Sequence, residues 1–317
     1  MVVDYPPKQT IAVVSMSGGK DSLATAICAK ERVGDDRCRY VFADTGNEHE
    51  LTLEYLYGYL ARVLGPIVTL RADFSAEIAR KRVYVAEKWP EKGVPDVVIQ
   101  RALAVLHPTG VPFLDLCLWK GRFPSRKAQF CTQELKRRPL DAYMLERLAE
   151  GYEVESWRGI RRDESQNRRH TLEVERAAEG WLIVHPVVGM TAQEVIEFVL
   201  SRGIMLNPLY TRGMRRVGCM PCINCGKDEL LEIAKRFPVH IDRIREWEQL
   251  LCLAAKRGWT TFFTDAAGDD ESDEDIFLRL NIDARVRWAE TARGGRQLDF
   301  VRTEPAAACS SVYGLCE

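Results

Sequence analysis

The sequence predicts an α/β protein with a doubly wound, mostly parallel sheet and a C-terminal, cysteine-rich, helical extension. Three observations carry this. Short apolar runs alternate with helical segments at βαβ spacing from about residue 10 onward. The first run ends in a glycine pair that opens a helix. From residue 207 the strand-like runs stop, and cysteines and helical periodicity take over.

Taken in order, residues 11–15 (IAVVS) read as a short buried strand and 21–33 as a helix. Residues 39–43 (RYVFA) read as a second strand ending at Asp44-Thr45-Gly46, 50–63 as a helix, and 67–70 as a third strand. Residues 75–140 are expected to be helices joined by loops. Residues 152–156 and 181–184 supply further strands. Thr191 is a good N-cap with Glu194 at the capping-box position, so 191–202 is a helix that Gly203 stops. Helical segments follow over 229–237 and 241–256, then an acidic, solvated loop over 265–275 and a tail. The expected division is a nucleotide-binding α/β domain over 1–206 and a cysteine-rich, mainly helical region over 207–317.

Composition bounds the rest. The chain has 317 residues and a formal net charge of −1. No run approaches the ~18 apolar residues of a membrane helix. The first ten residues, MVVDYPPKQT, lack the layout of a signal peptide, so a cytoplasmic protein without a membrane partner is expected. In a reducing compartment ten cysteines are not disulfides. Cys28, Cys117 and Cys252 sit in apolar stretches and read as small buried hydrophobes. Cys38 lies in a charged turn. Cys219, Cys222 and Cys225 are crowded into GCMPCINCG, Cys131 stands alone in a basic segment, and Cys309 and Cys316 close the chain.

The glycine pair belongs to SGGKDS, residues 17–22. A Walker A loop needs G-x-x-x-x-G-K-[ST]; Val14 stands where its first glycine belongs and Asp21 follows the lysine, so that reading fails twice. What remains is a strand, a tight turn and a helix start. Backbone N–H groups around Gly18 and Gly19 can point at an anion, aided by the helix dipole. Lys20 adds a charge, and Ser17 and Ser22 add hydroxyl donors.

Cys219-x-x-Cys222-x-x-Cys225 brings three thiols within reach of one centre. With a remote fourth cysteine that is the arithmetic of an iron–sulfur cluster. A zinc site and free redox thiols are the competing assignments. Between Lys120 and Arg138 there are seven basic residues and one acid, Glu134; Arg158 to Arg169 adds five arginines against two acids. Such a belt focuses anions. It serves either to neutralise a nucleotide and a cluster or to track a nucleic-acid backbone.

SGGKDS resembles the PP-loop (SGGxDS) of the ATP-pyrophosphatase superfamily, which cleaves ATP between its α and β phosphates. FADTGNEHELTLEYL from Phe42, WRGIRRDES from Trp157, and the stretch from His185 to Cys222 narrow the resemblance to the branch similar to phosphoadenylylsulfate (PAPS) reductases. The resemblance implies an adenine nucleotide alpha hydrolase-like fold, with ATP and Mg²⁺ bound by Ser17, Gly18, Gly19, Lys20, Asp21, Ser22, Asp44, Thr45, Gly46, Arg158, Gly159 and Arg161. Lys20, Asp21 and Arg161 are the candidate catalytic residues. It also implies Cys131 as the remote ligand of a [4Fe–4S] cluster with Cys219 and Cys222, the pair the reductase pattern requires, while Cys225 enters from the spacing alone; Cys309 or Cys316 is the alternative fourth ligand and zinc the alternative metal.

Sulfonucleotide reductases use a cysteine in an ECG-type motif, whereas this chain ends YGLCE. Those with a cluster carry adjacent cysteines, whereas Thr132 follows Cys131. The character is therefore closest to the adenylating proteins of DNA phosphorothioation. The expected function is an iron–sulfur ATP pyrophosphatase that adenylates a substrate, nucleic acid favoured, for sulfur transfer, with sulfur-donor or modification-system proteins as partners. A thiol-dependent sulfonucleotide reductase and a non-catalytic, metal-stabilised nucleotide-binding subunit are the alternatives.

Overall fold

The computed structural model describes residues 9–264 and 272–291. Cys309, Cys316, the N-terminal residues 1–8 and most of the acidic loop lie outside the described residues.

The α/β half begins with β1 (Thr10–Met16), α1 (Lys20–Val33) and β2 (Cys38–Asp44). Next come α2 (Glu50–Glu54), a π-helical turn (Tyr55–Leu60), α3 (Ala61–Leu64) and β3 (Ile67–Arg71). Three helices follow, α4 (Ser75–Glu91), α5 (Asp96–Val105) and α6 (Pro112–Lys120). A second π turn (Thr132–Arg137) leads into α7 (Arg138–Ala149), β4 (Glu153–Trp157), β5 (Val174–Arg176), β6 (Leu182–Val184) and α8 (Ala192–Leu200). The C-terminal helices are α9 (Lys227–Arg236), α10 (Pro238–Ala254), α11 (Asp273–Leu280) and α12 (Ile282–Glu290).

The sheet order is β3-β2-β1-β4-β6-β5. Every pairing is parallel except β5 with β6. The expected doubly wound α/β fold is thus the observed one. β1 shows why its sequence is a continuous apolar run rather than an alternating one: both faces are covered. Ala12 and Val14 pack with Leu23, Ile27, Leu56 and Val195 from α1, the π turn and α8. Ile11 and Val13 pack on the other face with Tyr143, Met144 and Trp181. A third core joins α4–α6 to α9, α10 and α12 around Trp89, Phe113, Trp247 and Phe262.

The capping box is present: Thr191 Oγ1 accepts from the Glu194 N–H at 3.2 Å and Glu194 accepts from the Thr191 N–H at 2.7 Å. Three expectations are corrected. Cys38 is buried as the first residue of β2, not in a turn, because the charged residues before it end one position earlier. Residues 273–275 of the expected acidic loop open α11, where Ser272 caps the Asp275 N–H at 3.2 Å. The segment read as tail continues into α12, which Asn281 caps at Ala284 and whose Ile282 and Ala289 enter the core.

Candidate functional site

In an open α/β sheet, ligands bind beyond the carboxyl ends of the strands where the order reverses. Here the chain leaves β1 towards β2 and β3, then returns to β4 on the other side of β1. The loops after β1, β2 and β4 therefore converge. They carry SGGKDS, DTGNEH and WRGIRRD.

The first loop is tightly built. Gly18 has φ of +74°, and a Cβ there would lie 2.6 Å from Thr52 Cγ2. Only glycine fits both constraints. Gly19 is the N-cap of α1 and supplies no side chain. The Ser22 hydroxyl donates to the Gly19 carbonyl at 2.9 Å and accepts from the Ser17 N–H at 3.2 Å. Lys20 is buried, its ammonium 3.3 Å from Asp21 Oδ2. The first-turn N–H groups of α1 lack intrahelical partners, which suits them to an anion.

The β4 loop is pressed onto this helix start. A Cβ on Gly159 would come 2.6 Å from the Asp21 carbonyl and 2.8 Å from the Ser22 nitrogen. Arg161 is buried, and its Nε donates to Asp21 Oδ1 at 2.6 Å. Its other arm pairs with Asp163, which in turn accepts from the N–H of Ala192 at the start of α8. Arg161 thus holds Asp21 and Asp163 together. Arg158 donates to Ser156 Oγ at 3.0 Å; burial pulls its pKa down, with Asp141 opposing.

The β2 loop joins the glycine loop after β1 to the cysteines. Asp44 accepts from the Gly46 N–H at 2.8 Å, and its other oxygen lies 3.6 Å from Arg71. Thr45 Oγ1 donates to Glu48 at 2.7 Å and lies 3.5 Å from Cys219 Sγ. Glu48 and Cys219 form an antiparallel bridge, the Met220 N–H donates to the Asn47 carbonyl at 2.7 Å, and Asn47 Nδ2 donates to the Pro221 carbonyl at 3.0 Å. Arg243 of α10 donates to Asn47 Oδ1 at 2.9 Å and to the Met220 carbonyl at 2.8 Å.

The cysteines gather around Lys136. The charge of Cys219, with that of Glu48, Cys222 and Cys131, holds its ammonium above lysine's usual pKa against the opposing effect of burial, while its side chain keeps access to solvent. Burial pushes the Cys219 thiol up to about 12, and Lys136 opposes that rise. Burial also raises Cys131, again opposed by Lys136. Cys131, Cys219 and Cys222 thus share one electrostatic neighbourhood. The Asn224 N–H donates to Cys222 Sγ at 3.5 Å. Cys225 is buried one turn further on, with Glu229, Cys222, Arg126 and Arg216 around it; burial raises its thiol strongly. Three soft thiol donors, a cation facing them and an N–H to sulfur fit a cluster held by thiolates, whose net negative charge those groups would offset.

His49, Glu50 and His240 also meet, with ligand atoms within 4.8 Å of one another. Their hydrogen bonds argue against a cation there. His49 Nδ1 caps α2 by accepting the Leu51 N–H at 3.0 Å. His240 Nδ1 lies 2.8 Å from an Arg243 N–H, which assigns the ring proton to Nε2, 3.3 Å from Glu50. Burial lowers His49 and pushes His240 down to about 4, so both rings are neutral at pH 7.

Part of the basic belt is internally paired. Lys120 lies 3.3 Å and Arg138 2.5 Å from Glu134, Arg168 pairs with Glu164, and Arg126 donates to the Cys225 carbonyl at 3.2 Å. Lys127, Arg137 and Arg169 are exposed. Sequence reading did not single out Asn47, Glu48, Lys136, Asn207, Tyr210 or Arg243. Asn207 Nδ2 donates to the Gly18 carbonyl at 3.2 Å, and the Lys20 N–H donates to the Tyr210 hydroxyl at 2.9 Å. The one available signal was their position inside the quoted motif segments, and Arg243 had none. Among the described residues no helix is long and apolar enough to cross a membrane.

Residues 117–225 match the phosphoadenosine phosphosulfate reductase domain. The chain is 43% identical to an uncharacterized 37.8 kDa protein of Escherichia phage 186, over 98% of both chains. It belongs to the same family as that phage protein. It is also 36% identical over 70 residues to an adenosine 5'-phosphosulfate reductase of Streptomyces coelicolor, covering 20% of this chain and 28% of that one. A crystal structure of PAPS reductase from Candida auris aligns with a TM-score of 0.40 and 14% identity, over 70% of this chain and 85% of that one.

Proposed function

We propose that this protein is an adenine-nucleotide enzyme that activates its substrate for sulfur transfer: an ATP pyrophosphatase that adenylates an acceptor, with a nucleic-acid backbone as the favoured acceptor. The observation that carries the reading is adjacency. Cys219 touches Thr45, and the Val217 carbonyl lies 3.7 Å from where a Gly19 Cβ would sit, so the start of α1 and the Cys219 segment lie side by side. The loop of residues 17–22 would hold the β and γ phosphates. Lys20 would neutralise charge developing as pyrophosphate leaves, Asp21 would hold Mg²⁺, and Arg161 would hold Asp21 in place. Cys131, Cys219, Cys222 and Cys225 would hold a [4Fe–4S] cluster, which supplies electron-transfer or sulfur-relay chemistry when bound. Exposed Lys127, Arg137 and Arg169 would carry a polyanionic acceptor.

A second reading, a sulfonucleotide reductase, is favoured by the local similarity to an adenosine 5'-phosphosulfate reductase. One experiment separates them. Anaerobically purified protein is assayed for pyrophosphate release from ATP, with and without DNA, and for sulfite release from adenylyl sulfates with a thiol. Pyrophosphate release stimulated by DNA supports the first reading; sulfite release alone replaces it with the second. Cys219→Ser is expected to lose a broad band near ~400 nm and about four iron per chain, whereas Cys28→Ser, buried in the core around α1 that contains none of the four proposed ligands, keeps both.

A further inference from the structure

The phosphate loop has an occupant of its own. Lys20 is the first residue of α1, and its N–H belongs to the first turn that no intrahelical carbonyl can satisfy. In this structure that N–H donates to the Tyr210 hydroxyl at 2.9 Å. The phenol is 2% exposed. Its oxygen would lie 3.3 Å from a Cβ on Gly19, and its ring centre lies 5.6 Å from the Lys20 ammonium. It therefore stands where a phosphate oxygen would meet the N–H, the glycine backbone and the lysine together. Tyr210 is held from behind rather than by the loop alone. It closes a short turn begun by Asn207, whose side chain caps the Leu209 N–H at 3.0 Å and grips the Gly18 carbonyl at 3.2 Å.

We infer that Tyr210 is a positioning residue whose hydroxyl stands in for phosphate on the Lys20 N–H and is displaced when a phosphate-bearing ligand enters. The inference rests on the phosphate-loop reading above. A neutral phenol oxygen is a weaker acceptor than a phosphate oxygen, because a charge-assisted bond is about twice as strong. The exchange is therefore downhill. Without ligand, the phenol keeps a buried donor paired, and an unpaired one would be costly.

Two consequences of opposite sign follow, and a purely structural tyrosine would not give both. In Tyr210→Phe the ring stays and the hydroxyl goes. The ligand-free protein should melt earlier. Inorganic pyrophosphate should bind tighter, by about tenfold, because the N–H no longer has an internal partner to give up. Asn207→Ala removes a grip on the Gly18 carbonyl and uncaps the Leu209 N–H, but it leaves the Tyr210 hydroxyl on the Lys20 N–H; it should lower the melting temperature without tightening pyrophosphate binding. Titration calorimetry of the full chain with inorganic pyrophosphate reads all three proteins. Unchanged or weaker binding by Tyr210→Phe overturns the inference and leaves the phosphate-loop reading intact. Absence of pyrophosphate binding by the wild-type chain overturns both. Should Tyr210→Phe not fold, 3-fluorotyrosine incorporated at position 210 of the otherwise wild-type chain gives the same answer: its ¹⁹F resonance is expected to shift on adding pyrophosphate, and a resonance that stays put while pyrophosphate binds overturns the inference.

Discussion

Gly159 shows how little room a single residue leaves. A methyl group there would fall within 2.6 Å of backbone atoms of Asp21, and backbone cannot swing aside as a side-chain tip can. Gly159→Ala should therefore cost about 1–3 kcal/mol of stability. It should also weaken ATP binding, because relief comes by pushing the first turn of α1 out of place. Thermal denaturation and nucleotide titration of the same sample check both. Gly58 sits in the π turn with nothing within 4 Å of a Cβ and without a positive φ, so Gly58→Ala should leave ATP binding unchanged and raise stability by about 0.5–1 kcal/mol. The same scale explains Arg161. Its two carboxylate partners make it a brace between α1 and the start of α8 rather than a side chain reaching into solvent.

Among elements, Glu248 in α10 carries the clearest pH dependence. It is buried, and its two oxygens accept the N–H groups of Phe262 and Ile282 at 2.8 and 2.9 Å. It thereby ties the middle of α10 to the loop before α11 and to the first residue of α12. Burial pushes its pKa up to about 7 in spite of those two bonds; Asp283 adds to the rise and Arg245 opposes it. The sign follows from proton counting. Between pH ~4.5 and ~7 the folded chain holds a proton that the unfolded chain has lost, so this group's contribution to stability falls as pH rises through that window and is flat above it. The stability difference between wild type and Glu248→Gln should therefore drift by roughly 1–3 kcal/mol from pH 5 to 7.5. Denaturant unfolding of both chains across that range measures it; a pH-independent difference would show that Glu248 stays ionised. The two π turns are element-scale features of another kind. One of them, Thr132–Arg137, directly follows Cys131 and carries Lys136 towards the thiols. A widened turn of this sort is common at functional sites.

Across the whole molecule, a net charge of −1 conceals two strongly basic segments, residues 120–138 and 158–169. Pairing with Glu134, Glu164, Asp21 and Asp163 removes Lys120, Arg138, Arg168 and Arg161 from their freely offered charge. Exposed Arg122, Lys127 and Arg137 remain in the first part of the belt, the last two without an aromatic ring beneath them among the described residues. Reversing those two, Lys127→Glu with Arg137→Glu, should weaken binding to duplex DNA across all sequences and flatten the dependence of log K on log salt by about 2. Fluorescence anisotropy at several salt concentrations reads the slope. An unchanged slope would assign the belt to the nucleotide and the cysteines alone.

Much of this was legible from sequence because it depends on short-range order. The strands over residues 10–16, 38–44 and 67–71, the capped helix at Thr191 and the glycine turn after β1 each follow from neighbours within a few positions. Apolar periodicity, caps and a tight turn are local properties. The helices at the end of the chain were hidden because their apolar faces are short and adjoin a strongly acidic stretch; α12 is buried by packing against α9 and α10, and α11 packs against α12. The site divides in the same way. The SGGKDS turn and the Cys219–Cys222 pair are contiguous and announce themselves. That Lys136 faces three cysteines, that Arg161 braces Asp21 from 140 positions away, and that Tyr210 meets an N–H 190 positions earlier are outcomes of the sheet's reversal of order at β1. Local sequence determines which groups a turn can offer. Only the folded sheet, by bringing three loops to one edge, decides which distant side chains those groups meet.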